Sequence, residues 1–236
     1  MHEKIKQIKF IIPNIFTALS LICGLIAMQF TFEGKFVFAS WLIAASMFCD
    51  GLDGKLARLL NAQSKFGAQF DTLSDFVAFG VVPGFLAYKA GLFRVHYLGA
   101  IVAIFYVFAG GYRLVRFTLK NTDISKKHPF IGLPIPAAAG MISSYTILNF
   151  YLWKEIRSLE IFVVIVFVSS VLMISKIEYL PIEKGKRFSR ETKLFICLAI
   201  ISFIAAIKYS YFVFFAWILI YVFYGIIRYI ISALKK

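Results

Sequence analysis

A chain of 236 residues that is 61% hydrophobic and 18% aromatic, with mean hydropathy +0.82, is too apolar for a soluble globular domain. The formal net charge of +14 would suit nucleic acid, but the basic residues sit between apolar runs instead of gathering on one face. That arrangement argues against a nucleic-acid partner and for anionic lipid headgroups and orientation in a membrane.

Residues 1–9, MHEKIKQIK, form a basic juxtamembrane segment ahead of the apolar stretch Phe10 to Phe32. That stretch is longer than a signal-peptide core and lacks a convincing cleavage site, so it is expected to be the first membrane helix. Pro13 and Asn14 fall near its start, where a missing N–H is tolerated. The second helix is expected over about Phe36 to Asn61 and the third over about Gly67 to Phe93, kinked at Pro83 and Gly84. The fourth, about Tyr97 to Lys120, carries Arg113 and Arg116 near its end, three residues apart on one face. A polar loop with Lys126, Lys127 and His128 follows. A fifth helix opens at Pro134 and Pro136, a sixth covers about Glu160 to Ser175, and a basic loop leads to a seventh and an eighth.

The expected fold is therefore all-α: one membrane-embedded domain over residues 1–236, with about eight transmembrane helices and both termini cytoplasmic. Cys23, Cys49 and Cys197 lie in apolar runs without C-x-x-C spacing, as small buried hydrophobes do. With cytoplasmic termini, most of the 26 basic residues fall on the cytoplasmic side.

The chemistry concentrates in Asp50 to Asp75, DGLDGKLARLLNAQSKFGAQFDTLSD. Asp50, Asp53, Gly54, Ala57 and Arg58 share a broad face at the end of the second helix. Gly67, Asp71 and Asp75 share a stripe at the start of the third, and the segment Leu59 to Phe66 folds the two back on each other. Four carboxylates in an apolar setting repel unless a cation or protons neutralise them. The glycines and Ala57 clear side-chain bulk where a ligand approaches. Magnesium binds through one or two carboxylates, water and phosphate oxygens. Four carboxylates suffice for a pair of ions about 4 Å apart, suited to in-line displacement at phosphorus.

This stretch resembles the signature of the CDP-alcohol phosphatidyltransferase family, D-x-x-D-G-x-x-A-R-(x8)-G-x-x-x-D-x-x-x-D. It matches at Asp50, Asp53, Gly54, Ala57, Arg58, Gly67, Asp71 and Asp75. The resemblance implies that Asp50, Asp53 and Asp71 bind two Mg2+ or Mn2+ ions, and that Asp75 is the general base and also touches a metal. It further implies that Gly54, Ala57 and Gly67 make room for the nucleotide, that Arg58 contacts its phosphates, and that Asn14, part of a helix-one feature with Pro13 and Thr17, is a substrate contact. The phrases FDTLSDFVAFGVVPG, RLVRF and GLPIPAAAG look like the branch of the family that uses serine, although Ile135 and Thr118 depart from its pattern.

On that resemblance the donor is CDP-diacylglycerol, the acceptor L-serine, and the products phosphatidylserine and CMP. The enzyme is then a homodimer of the cytoplasmic membrane with its site at the cytoplasmic face. Arg113 and Arg116 are read either as a clamp for the acceptor carboxylate or as topology-setting charge. Glycerol 3-phosphate and inositol phosphate are the alternative acceptors. From other classes, a divalent-cation transporter would use the four acids as an ion site, and a lipid-binding scaffold would not need Asp75.

Overall fold

The computed structural model describes residues 2–60, 62, 64–121, 130–179 and 190–234, with side chains at 11–60, 62, 64–119, 131–177 and 209–231. Lys126, Lys127 and His128, expected in a basic loop, lie outside these residues, as do Lys184, Lys186 and Arg187 of the second basic loop.

The chain is a bundle of helices: α1 (His2–Phe32), α2 (Phe36–Leu59), α3 (Lys65–Asp75), α4 (Val82–Ala90), α5 (His96–Asn121), α6 (Ile135–Trp153), α7 (Leu159–Ile174) and α8 (Arg190–Leu234). One antiparallel bridge, absent from the all-helical expectation, joins β1 (Phe130–Ile131) to β2 (Glu178–Tyr179). Among the described residues, five helical stretches are long and apolar enough to cross a membrane: Ile11–Phe32, Phe36–Leu59, Lys65–Ala90, Leu92–Leu119 and Tyr209–Ile231. These correspond to five of the eight expected crossings. The other three are the expected fifth helix, which is α6, the expected sixth, which is α7, and the expected seventh, which is the first part of α8. α7 has 16 residues, which is short for a span. The expected seventh and eighth helices are one element, α8, bent at Tyr209, whose φ/ψ is non-helical.

α6 is the central helix. Its side chains from Ala137 to Asn149 are all buried, including Ser143, Ser144, Thr146 and Asn149. A helix buried on every side meets other helices instead of lipid, so it tolerates polar residues that a lipid-facing helix would not. Several of its polar groups turn back on their own helix: Thr146 Oγ1 donates to the Ile142 carbonyl and Asn149 Nδ2 to that of Tyr145. Aromatic and aliphatic side chains such as Phe48, Tyr97, Phe108 and Ile220 cover the outside of the bundle and are exposed, as suits a lipid-facing surface.

The third span, expected to be kinked at Pro83 and Gly84, changes its helical form just before them. Between α3 and α4 the chain runs through a π-helical stretch, Phe76–Val81, just before Pro83. Proline has no N–H, so in an α-helical ladder the Phe79 carbonyl would lose its partner. The buried Tyr106 hydroxyl of α5 takes that place, donating to the Phe79 carbonyl at 2.9 Å. α1 approaches the same stretch at backbone distance: a Cβ on Gly24 would lie 3.0 Å from the Ala78 Cα.

At one end of the bundle, Lys35 pairs with Glu33 at 2.8 Å and Arg94 with Glu155 at 3.1 Å, while the Arg94 guanidinium also donates to the Ile156 carbonyl. The aspartates lie at the other end, where α2 finishes and α3 begins.

Tyr106→Phe should lower unfolding stability in detergent by about 1 kcal/mol, the usual worth of one hydrogen bond. Thermal denaturation of the two proteins checks this, and an unchanged midpoint would mean the Phe79 carbonyl finds another donor.

Candidate active site

The reversal between the two halves of the motif is set by local capping. At the end of α2 the Ala62 N–H reaches back to the Ala57 carbonyl, and at the start of α3 the Ser64 Oγ accepts from the Gly67 N–H at 2.9 Å. Ser64 has extended backbone angles and serves as the N-cap, satisfying an N–H that the first turn leaves unpaired. Gly67 has no room for a side chain, because a Cβ there would meet Asn14 Oδ1 and Ser64 Oγ at 3.0 Å.

The reversal brings Asp50, Asp53 and Asp71 together: one oxygen from each lies within 4.8 Å of the others. Asp53 is the most enclosed of the three, at 5% exposure. Its Oδ2 accepts a hydrogen bond from Thr17 Oγ1 of α1 at 2.7 Å. The Asp75 carboxyl lies one turn further along α3, in hydrogen-bonding contact with that of Asp50. Two carboxyls so close need a proton or a cation between them. The donor set is all oxygen, anionic and partly buried, which fits a hard divalent cation such as Mg2+ or Mn2+.

Beside the carboxylates opens a cavity of about 510 Å³, within the range of small-molecule sites. α1 contributes Pro13, Asn14 and Thr17 to its wall, and α2 contributes Asp53, Gly54, Ala57 and Arg58. Ala62, Ser64, Gly67, Ala68 and Asp71 line the side of the reversal, and Phe117 of α5 completes the lining. A Cβ on Gly54 would project into open space, whereas Gly67's clearance is already taken by Asn14 and Ser64. Arg58 is exposed and its Nε donates to the Gly54 carbonyl at 2.9 Å. Ala62, Ser64, Ala68 and Phe117 are wall residues to which the sequence analysis gives no role, and Thr17 is one that it names with Pro13 and Asn14 without a role of its own.

The two arginines of α5 have different surroundings. Arg113 is 7% exposed and close to Asp75, and its Nε makes no hydrogen bond among the described residues. Arg116, expected to share a clamp with it, donates instead to four carbonyls. Nη1 reaches Ile174 and Ser175 at 2.8 and 3.2 Å, and Nη2 reaches Ile131 and Met173 at 2.7 and 3.1 Å. These contacts occupy both terminal nitrogens and cap the C-terminus of α7. The same junction holds Gly132 at φ +84°, where a Cβ would collide with the Met173 carbonyl and Arg116 Nη2. The Gly132 and Leu133 N–H groups donate to the Ile177 and Leu172 carbonyls, seating the start of α6. Ile135 then packs its Cδ1 toward Gly80 and Gly110.

An acidic oxygen cluster beside a nucleotide-sized cavity, at one end of an apolar bundle, supplies the parts that membrane-embedded phosphoryl transfer needs. Residues 10–174 match the family model for CDP-alcohol phosphatidyltransferases, and the chain belongs to that family. A relative from Helicobacter pylori strain 26695, named CDP-diacylglycerol–serine O-phosphatidyltransferase, is 37% identical over 96% of this chain and 94% of its own. A relative of the same name from Methanocaldococcus jannaschii is 36% identical over 93% of this chain and 94% of its own. One from Bacillus subtilis, also so named, is 39% identical over 54% of this chain and 70% of its own.

Arg116→Lys should cost about 2 kcal/mol of stability, since an ammonium replaces at most part of a four-carbonyl cap held by a charged donor. The melting temperature in detergent reads this out. A melt unchanged by the substitution would leave the cap without structural weight.

Proposed function

We propose that this protein makes phosphatidylserine by transferring the phosphatidyl group of CDP-diacylglycerol to L-serine, with release of CMP. The observation that carries this reading is the convergence of Asp50, Asp53 and Asp71, with Asp75 and the buried Arg113 beyond them, next to a cavity of nucleotide size. The names of the relatives that align along nearly the whole chain support serine as the acceptor.

Asp50, Asp53 and Asp71 are the residues that would hold divalent cations, with Asp75 close enough to join them. Bound there, such ions supply charge neutralisation of the pyrophosphate and polarisation of the phosphorus under attack. The cavity takes the cytidine and ribose against Gly54, Ala57 and Gly67, with Asn14 and Arg58 as polar contacts. Asp75 takes the proton from the serine hydroxyl as its oxygen bonds to the lipid-side phosphorus. The phosphorus–oxygen bond to CMP breaks in the same displacement, and the bonding pair leaves with CMP.

Arg113 holds the serine carboxylate. Its Nε–H has no acceptor among the described residues, while both terminal nitrogens of Arg116 are already occupied, so Arg113 is the better placed of the two. Serine also fits this count of cations better than glycerol 3-phosphate or inositol phosphate, whose acceptor phosphates demand more fixed positive charge. The concentration of basic residues at the aspartate end supports a site at the cytoplasmic face of the cytoplasmic membrane, where a soluble acceptor meets a lipid donor. The homodimer that the family resemblance implies belongs to the same reading.

The deciding experiment measures CMP release from CDP-diacylglycerol by purified protein with a panel of alcohols. Serine should support turnover, and excess chelator should stop it. Release with glycerol 3-phosphate or inositol phosphate but not serine would overturn the acceptor and keep the reaction class. Divalent-cation uptake by proteoliposomes without CMP release would favour a transporter.

Asp50→Asn, Asp53→Asn and Asp71→Asn should each abolish turnover. Asp75→Asn should slow it at least ~100-fold, as loss of a general base does, with CDP-lipid binding kept within about tenfold. Arg113→Lys should raise the serine KM about tenfold, because an ammonium cannot form a two-pronged contact with a carboxylate. Steady-state kinetics against serine separates KM from kcat, and an unchanged serine KM would remove Arg113 from the acceptor site.

A further inference from the structure

One residue of α1 touches both halves of the aspartate motif. The Thr17 side chain, 3% exposed, donates through Oγ1 to Asp53 Oδ2 at 2.7 Å, a length typical of a hydroxyl bound to a carboxylate. The Pro13 carbonyl lies further away, at 3.3 Å, and a hydroxyl has a single proton to give. The backbone carbonyl of Thr17 accepts from Ser74 Oγ at 3.1 Å, and Ser74 is the buried residue immediately before Asp75. The hydroxyl thus holds the α2 half and the carbonyl holds the α3 half.

The two contacts act on different degrees of freedom. A carboxylate with one oxygen hydrogen-bonded to a buried hydroxyl cannot turn about its Cβ–Cγ bond without leaving a polar atom unpaired. The Ser74 contact sets the height of α3 against α1, and so the level at which Asp71 and Asp75 face Asp50 and Asp53. One turn deeper on α1, Ser20 makes a similar contact with α2: its Oγ lies 2.8 Å from Ser46 Oγ, which also donates to the Ser20 carbonyl. That pair ties the same two helices without touching a carboxylate, and it serves as an internal control.

We infer that Thr17 is a positioning residue for the cation centre, orienting Asp53 through its hydroxyl and setting the spacing between the two halves of the motif through its carbonyl. The inference rests on the reading that the aspartates hold a divalent cation.

The test is Mn2+ binding to the full-length protein in detergent micelles, followed by electron paramagnetic resonance of free and bound ion. Thr17→Val removes the hydroxyl at nearly constant volume. It should weaken Mn2+ binding by about 10-fold or more, the usual cost of losing a hydrogen-bond partner of a metal ligand. Thr17→Ser should restore binding to near the parent value, and Ser20→Ala should leave it unchanged. Thr17→Ala is the substitute if the valine variant does not fold. The activity of Thr17→Val should recover at high Mn2+, with the CDP-lipid KM then close to that of the parent.

Parent-like Mn2+ binding by Thr17→Val would overturn the inference, as would an equal loss in Ser20→Ala or no rescue by serine. A raised CDP-lipid KM at saturating Mn2+, with Mn2+ binding intact, would also overturn it and make Thr17 a nucleotide contact. Absence of Mn2+ binding by the parent would overturn the cation reading itself, an outcome distinct from these.

Discussion

Carboxylates brought within a few ångströms of one another in an apolar bundle repel, and the end of this fold where α2 finishes and α3 begins is built to hold them there. The aspartates come from two helices that reverse direction over a few residues, and the reversal is secured by a serine N-cap and a backbone return to Ala57. α1 closes the arrangement from the side through Thr17, which meets Asp53 with its hydroxyl and Ser74 with its carbonyl. The repulsion that destabilises the cluster on its own is also what a hard cation, in the proposed function, would relieve. Stability is given up locally, and the rest of the bundle has to make up the loss.

The surrounding structure follows from a second constraint, that an apolar medium offers no water to satisfy polar groups. Where Pro83 withholds an N–H, a π-helical stretch forms and Tyr106 serves the carbonyl left over. Where α7 ends, Arg116 gathers four carbonyls. Several hydroxyls within helices turn back on their own backbone, as Thr31 does to Ala27 and Ser170 to Val166. Against this pattern, only Arg113 Nε and Ser143 Oγ are buried side-chain polar atoms without a partner among the described residues. An unpartnered guanidinium nitrogen next to Asp75 is costly in the free protein, and that cost makes a carboxylate-bearing ligand a natural complement.

The later helices form the frame. α6 runs through the centre, and its small residues let neighbours come close: a Cβ on Gly140 would touch Ile218 of α8 and Met47 of α2. Trp41 of α2 stacks on Phe214 of α8, so the second half of the chain supports the helix that ends in Asp50 and Asp53. The matched family region ends at residue 174, and α8 lies beyond it.

The aspartate motif and the helical character of the chain were legible in the sequence because both rest on local rules. Spacings of three and four put Asp50 with Asp53, and Asp71 with Asp75, on single helical faces, and long apolar runs can only be helices in a bilayer. The sequence also located the reversal between Leu59 and Phe66, close to the observed ends of α2 and α3. What it could not separate was Arg113 from Arg116. They stand three residues apart on one helix, with the same side chain, and their difference comes from α7 and β1, whose carbonyls surround one and not the other. The π-helical stretch is likewise non-local, since the Phe79 carbonyl is satisfied by a tyrosine 27 positions away. Thr17 stood in the sequence only as part of the helix-one feature with Pro13 and Asn14, and tertiary packing then put Asp53, 36 residues on, and Ser74, 57 residues on, against its two oxygens. Periodicity determines which residues share a face, but only the packing of whole helices decides which faces meet and which polar groups are left for a ligand.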